Sequence, residues 1–286
     1  MQKTLKELLS QLTVERAIGA GCQQQYLIAI NNLAGFLDYE PTVADLTEVT
    51  VNNLILQLEQ TYSTATVKNR KAGILVMWNY SAELGLCAPY HSKRIRKVRL
   101  TLKPPQSLSM DEVSRLLDAA RSISGRLSIG LDGSLVAEIA ILFALQAGLR
   151  AVDIRHLERS QIDGAGVFTF IQQKTGQLHC AQVTKELVNL CDYSGALNRR
   201  LILPVSKDCL RHWCDKAFER AGLKGVGVGL KALRKTHATM VAERDGLEAA
   251  SRSLGHVSGT EVARKHYIAP RALLKPAKPV TVKRCA

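Results

Sequence analysis

Pro104 and Pro105 divide this chain. Proline fixes φ and lacks an N–H, so the pair forbids a helix and favours an extended connector. Around it, Gly85 to Met110 holds six Lys or Arg (Lys93, Arg94, Arg96, Lys97, Arg99 and Lys103) and no acid. On both sides of the prolines apolar residues return at helical spacing. A chain of 286 residues can support two domains with cores of their own. The expected division is a helical unit at 1–103, a basic linker at about 91–107, and a second unit at 108–286 whose tail begins at 269.

The first unit reads as helical throughout. Gln23 to Asp38 carries apolar residues at 26, 27, 30, 33, 34 and 37 and stops near Pro41. Asp45 to Gln60 repeats the pattern with Val49, Leu54, Ile55 and Leu58. Ser63 or Thr64 caps a third helix running to about Leu84, with Gly85 past its end. Lys68, Arg70 and Lys71 lie near the start of that helix, against the preference of the helix dipole. Either DNA phosphate or a plain solvated face accounts for them.

In the second unit Ser109 (or Ser107) caps a helix with Val113, Leu116, Leu117 and Ala120 at i, i+3, i+4 and i+7. A buried helix from Ser134 to Gln146 breaks at Gly148, and Arg150 follows the break. Arg150 is then either a rigidly held catalytic cation or half of an ion pair with Asp153 or Glu158. Val167 to Ile171 and Leu178 to Val183 alternate around Gln172 to Gln177, a β-hairpin with Lys174 on its tip. Ser206 caps a helix that buries Leu210, Trp213, Cys214, Ala217, Phe218 and Ala221 and ends at Gly222. The fold class is mainly α with a small β-sheet.

Charge narrows the function. The formal net charge is +14, and Ala269 to Ala286 adds five Lys or Arg without an acid. Such clustering suits a phosphate backbone, where counterion release drives binding. Seven cysteines without a CxxC pair, and no HExxH, give no metal spacing and read as reduced cytoplasmic thiols. Four glycines between 222 and 229 lack the Gly-Lys-Ser/Thr ending of a nucleotide loop, so neither nucleotide nor other cofactor is expected. The N-terminus is too interrupted by charge for a signal peptide. The most apolar run, Leu135 to Leu145, contains Glu138 and is too short for a membrane span.

Chemistry concentrates between Gly229 and Tyr267. Lys231 and Arg234 are three residues apart on a helix, His256 follows in Leu-Gly-His, and Tyr267 comes eleven residues later. Two cations, an imidazole and a phenol suit attack of a tyrosine hydroxyl on a phosphodiester. Fixed Arg and His donors stabilise the charge gathering on the non-bridging oxygens.

Four ordered motifs carry a family resemblance. Ala147-Gly-Leu-Arg150-Ala-Val-Asp153 is similar to the first arginine motif of the tyrosine recombinases, or phage integrases. Lys231-Ala-Leu-Arg234-Lys-Thr-His-Ala-Thr239 resembles the second, Leu254-Gly-His256 the third, and Tyr267 stands at the nucleophile's place. The resemblance implies an N-terminal core-binding domain that grips the duplex and an α+β catalytic domain. It implies site-specific strand exchange on double-stranded DNA through a 3′-phosphotyrosine, by a homotetramer on paired sites. Lys174 would then protonate the leaving 5′-oxygen, and Lys231 would stand where histidine is commoner. Asp153 replaces a more usual glutamate, and the His256–Tyr267 gap is about half a helical turn longer than usual. His237 falls at a core position, which assigns it a structural role. In the family the segment beyond the tyrosine often docks on a neighbouring subunit; Ala272, Leu273 and Leu274 would supply the contact here. The helices begin almost at once, which reads as the absence of a separate arm-binding domain. A cytoplasmic, nucleoid-associated location follows for a bacterial protein. Two other readings stay open: a relaxing topoisomerase using the same chemistry, and a DNA-binding regulator that lost it.

Overall fold

The computed structural model describes residues 3–99, 105–195, 199–223, 225, 229–255, 259–269 and 273. Contacts divide the chain into units 1–103 and 104–286.

Unit 1 is built from four long helices. Thr4 and Glu7 close a capping box on α1 (Leu5–Glu15), whose Leu5, Leu8, Leu9 and Leu12 form one buried stripe. Helix α2 (Ala20–Leu37) starts three residues earlier than its apolar pattern suggests, because Gly19 serves as its N-cap. A 3₁₀ turn at Val43–Asp45 then precedes α3 (Glu48–Thr61), capped by Thr47. The helix expected from Asp45 therefore begins three residues later. Val49, expected in the core, is 69% exposed, and Val51 is buried in its place. Helix α4 (Thr64–Glu83) is capped by Ser63 as expected, and buries Ile74, Met77 and Trp78.

The basic stretch expected as an open connector is instead seated on unit 1 as far as Val98. Ile95 is buried among α1–α4 residues. Asn52 donates to the Arg94 carbonyl at 2.8 Å and accepts from the Arg96 amide at 2.7 Å. A buried anchor and a bidentate amide hold this segment despite its charge, which composition alone cannot reveal. Lys103 and Pro104 lie outside the described residues.

Unit 2 is organised around α6 (Gly133–Gln146), which is apolar on every side and packs against α5 (Met110–Arg121), α9 (Lys207–Arg220) and α10 (Leu230–Asp245). Val136, Ile139, Ile141 and Phe143 are fully buried, each worth roughly 1.5–3 kcal/mol of transfer free energy. Its one acid, Glu138, reaches the rim and accepts from Arg121 Nε at 2.6 Å. Helix α7 (Ala151–His156) follows α6 closely. Strands β1 (Val167–Ile171) and β2 (Leu178–Gln182) pair antiparallel with Phe170 opposite His179. Short helices α8 (Lys185–Tyr193), α11 (Leu247–Ser253) and α12 (Glu261–His266) complete the described α-helices. No described helix is long and apolar enough to cross a membrane.

Candidate active site

Gly148 sets the first arginine. Its φ of +62° turns the chain after α6, and a Cβ there would stand 2.6 Å from His237 Cδ2. Two residues on, Arg150 becomes the N-cap of α7, with no capping hydrogen bond from its side chain. Its guanidinium, 16% exposed, donates from Nη1 to Gln172 Oε1 at 2.9 Å. Asp153 Oδ2 stands 3.8 Å from the same nitrogen, too far for a hydrogen bond. The ion pair weighed for Arg150 is therefore only a loose one. Asp153 is buried and spends Oδ1 on the Gln173 amide at 2.9 Å, which ties the hairpin turn to α7.

Arg234 is the hub. It is 3% exposed, on α10. Nη1 donates to the Gly148 carbonyl and Nη2 to the Leu254 carbonyl at 2.9 Å, so one side chain clamps the segments before Arg150 and His256. Its Nε–H has no hydrogen-bond partner among the described residues. Burial first, and Arg150 second, bring its pKa down to about 10, against the pull of Tyr267 and Asp153.

Tyr267 caps the C-terminus of α12 and is half-buried. Ala238, Ala242, Ala250, Leu254, Ala263 and Ile268 form a small core beneath it, and the Ala269 amide donates to Thr239 Oγ1 at 3.0 Å. These contacts hold the phenol against the same chain's Arg234, whose Cζ lies 5.2 Å from the ring centroid. Burial raises the phenol's pKa, but the charge of Arg234, a hydrogen bond from it, and the charges of Arg150 and Lys231 outweigh burial and lower it overall.

The remaining expected residues divide. Lys231 is exposed on the first turn of α10, and its charge is felt at Tyr267. Lys174 is exposed on the hairpin turn and makes no hydrogen bond or ion pair among the described residues. His256 lies outside the described residues, between Gly255 and Gly259. His237 is buried with Nδ1 2.9 Å from the Leu145 carbonyl and Nε2 3.1 Å from Ser253 Oγ. The ring's Nδ1–H donates to the carbonyl, while the one proton of the Ser253 hydroxyl lies within reach of both Nε2 and the Ala250 carbonyl, at 3.1 and 2.9 Å. Burial lowers its pKa to about 4, so it braces the site in the uncharged form.

Three participants escape a motif reading. Gln172 is 1% exposed between Arg150 and the Leu254 carbonyl. His179 is 5% exposed, edge-on to Phe170, with its pKa lowered by burial and then by Arg234. Both obey strand alternation, which sends Phe168, Phe170 and Gln172 to one side and pairs His179 with Phe170. That alternation was the available signal. Lys235 is the third, partly buried, with its pKa lowered by burial and by Lys231.

The basic residues of unit 1 also divide. Lys68, Lys71, Lys97 and Arg99 line a groove of about 420 Å³ floored by Ala72, Leu75 and Val98. Lys93 is exposed. Arg70 donates to Gln25 at 3.1 Å, Arg94 lies 3.5 Å from Glu48, and Arg96 pairs with Glu59 at 2.9 Å. Lys71 Nζ donates to the Arg96 carbonyl at 2.6 Å, and burial lowers its pKa.

The fold is that of the tyrosine recombinases. No family model matches the sequence, and no curated protein matches it. Solved structures do match. A lambda integrase dimer bound to a COC′ core site superposes with a TM-score of 0.76 at 18% identity, over 98% of this chain and 81% of that one. The XerH site-specific recombinase bound to a palindromic difH substrate gives 0.70 at 16% identity, over 91% and 80%. The Tn1549 transposon integrase in complex with a circular intermediate DNA gives 0.67 at 14%, over 93% and 95%. At these identities the kinship established is one of fold.

Proposed function

We propose that this protein is a site-specific DNA recombinase or integrase that cleaves and rejoins DNA through a 3′-phosphotyrosine, with Tyr267 acting in cis. The observation that carries the reading is the phenol held against its own chain's Arg234, with Arg150 and Lys231 adding charge. Tyr267 Oη forms a bond to phosphorus as the bond to the 5′-oxygen breaks. The phenolic proton leaves to solvent, with the charge of Lys231 favouring the phenolate, and the 5′-oxygen takes its proton from Lys174. Arg150 and Arg234 hold the non-bridging oxygens, with His256 as a further donor. Two of the Arg234 guanidinium's five N–H groups go to carbonyls and one to the Tyr267 phenol, which leaves others for this. The stored phosphotyrosine bond lets a second DNA end attack without a nucleotide. Lys68, Lys71, Lys93, Lys97 and Arg99 are the leading phosphate contacts in unit 1. DNA-bound dimers and tetramers among the fold neighbours support the proposed tetramer on paired sites.

The test uses a pool of nicked duplexes with randomised flanks, resolved on a denaturing gel. A protein–DNA adduct that keeps a 5′-end label, loses a 3′-end label, and vanishes in Tyr267→Phe is the expected result. An adduct that survives Tyr267→Phe removes the nucleophile. Supercoil relaxation without joining of two sites would indicate a topoisomerase. DNA binding with no adduct would indicate a regulator.

A further inference from the structure

We infer that Gln172 is a positioning residue that holds Arg150 and the Lys174-bearing turn as one rigid unit; the inference rests on the strand-cleavage reading above. Three of its amide's four hydrogen-bonding positions are used. Oε1 accepts from Arg150 Nη1 at 2.9 Å and from Thr175 Oγ1 at 2.9 Å, while Nε2 donates to the Leu254 carbonyl at 3.3 Å. The three partners come from three segments: the N-cap of α7, the hairpin turn, and the end of α11. The Leu254 carbonyl also receives Arg234 Nη2, so Gln172 and Arg234 meet on one acceptor. A side chain 1% exposed at the end of a strand could have been apolar, and a buried amide is tolerated only when its bonds are met.

The chain makes room for it. Gly255 has φ +67°, and a Cβ there would lie 2.3 Å from Gln172 Nε2. The glycine of Leu-Gly-His is thus required twice, by its backbone and by the glutamine seated over it. Lys174 is two residues from Gln172, on a turn whose Thr175 and Gly176 amides both return to the Gln172 carbonyl at 3.3 and 2.8 Å. A general acid on an exposed turn acts only if the turn is fixed, and Gln172 fixes it to the same guanidinium that faces the phosphate.

Two arms follow, and they can be told apart chemically. The turn arm runs through Thr175 to Lys174, and its loss hurts only a leaving group that needs a proton. The arginine arm runs to Arg150, and its loss hurts any leaving group. A duplex from the selected pool with sulfur in place of the bridging 5′-oxygen supplies a leaving group that departs unprotonated. With the full chain at saturating DNA, Gln172→Met should slow single-turnover cleavage of the all-oxygen duplex roughly ten- to a hundredfold. Its DNA affinity should be unchanged, and the sulfur duplex should restore the rate only in part. Thr175→Val, at an exposed position that does not endanger folding, should slow cleavage less and be restored fully, as Lys174→Ala is. Wild-type rates in Gln172→Met, or slowed variants that sulfur fails to help while it rescues Lys174→Ala, would overturn the inference. Absence of an adduct with the wild-type chain would overturn the cleavage reading and this role together, whereas a normal wild-type adduct beside an unaffected Gln172→Met overturns this role alone.

Discussion

Arg234 is a scaffold residue in the structure, and under the proposed cleavage it is a chemical one as well. Its charge faces the Tyr267 ring while its fork holds two buried carbonyls from two segments. Lysine keeps the charge, but a single ammonium lacks the planar fork that reaches both acceptors. Arg234→Lys should therefore lose about 2–4 kcal/mol of stability by urea denaturation, together with at least about a hundredfold in adduct formation. Equal stability with lost cleavage would deny the clamp. His237 is the second residue-scale case. Its folded pKa of about 4 lies below the ordinary 6.5, so between those values the unfolded chain binds the extra proton. Stability is then full above pH 6.5 and falls as the pH drops toward 4, by up to about 3 kcal/mol. Arg234, His179 and Arg244 all oppose a charge on that ring, and the Leu145 carbonyl favours it. Urea midpoints at pH 7 and pH 5 should differ less in His237→Gln than in the wild type, with His179 contributing what remains.

At the scale of elements, a long apolar stripe makes a helix legible, as in the uncapped α2 and α6, and a side-chain cap fixes where it starts. Ser63, Ser109 and Ser206 each accept a backbone N–H at the start of α4, α5 and α9. Helices α7, α11 and α12 run six or seven residues with no side-chain cap, too short for periodicity to register. Tertiary contact holds the last two, through alanines on α10 and α11 that look unremarkable in sequence. Site residues follow the same division. Arg150, Arg234 and Tyr267 are legible because guanidinium and phenol have few substitutes in this chemistry, whereas Gln172 resembles any loop glutamine until the hairpin register is known. The α6–α7 junction offers the element-scale prediction. Gly148→Ala forces a side chain into left-handed backbone and against the His237 ring, so it should cost about 2–4 kcal/mol and displace Arg150. Gly164→Ala, with open space around its Cβ and no positive φ, should stay within about 0.5 kcal/mol. Thermal melts of the two variants, paired with adduct assays, decide whether the junction has the rigidity claimed for it.

For the whole molecule the issue is how a charge of +14 is used. Sequence composition treats every Lys and Arg between 85 and 110 alike, and the fold does not. Arg96 is paired with Glu59 and its backbone is held by Asn52 and Lys71, so it supports unit 1. Lys68, Lys97 and Arg99 line the groove and make no hydrogen bond or ion pair among the described residues. If they meet DNA phosphates, each releases counterions, and the slope of log K against log salt falls by about 0.9 for each contact removed. Converting all three to Ala should therefore flatten that slope by roughly 2 to 3 while leaving the melting temperature in place. Arg96→Ala should do the reverse, lowering the melting temperature and leaving the slope near the wild-type value. Both effects can be read from fluorescence anisotropy on a labelled duplex across a salt series, beside a thermal melt. A triple variant with an unchanged slope would return the groove cations to a solvated face, and the grip on DNA would have to be sought elsewhere in the chain.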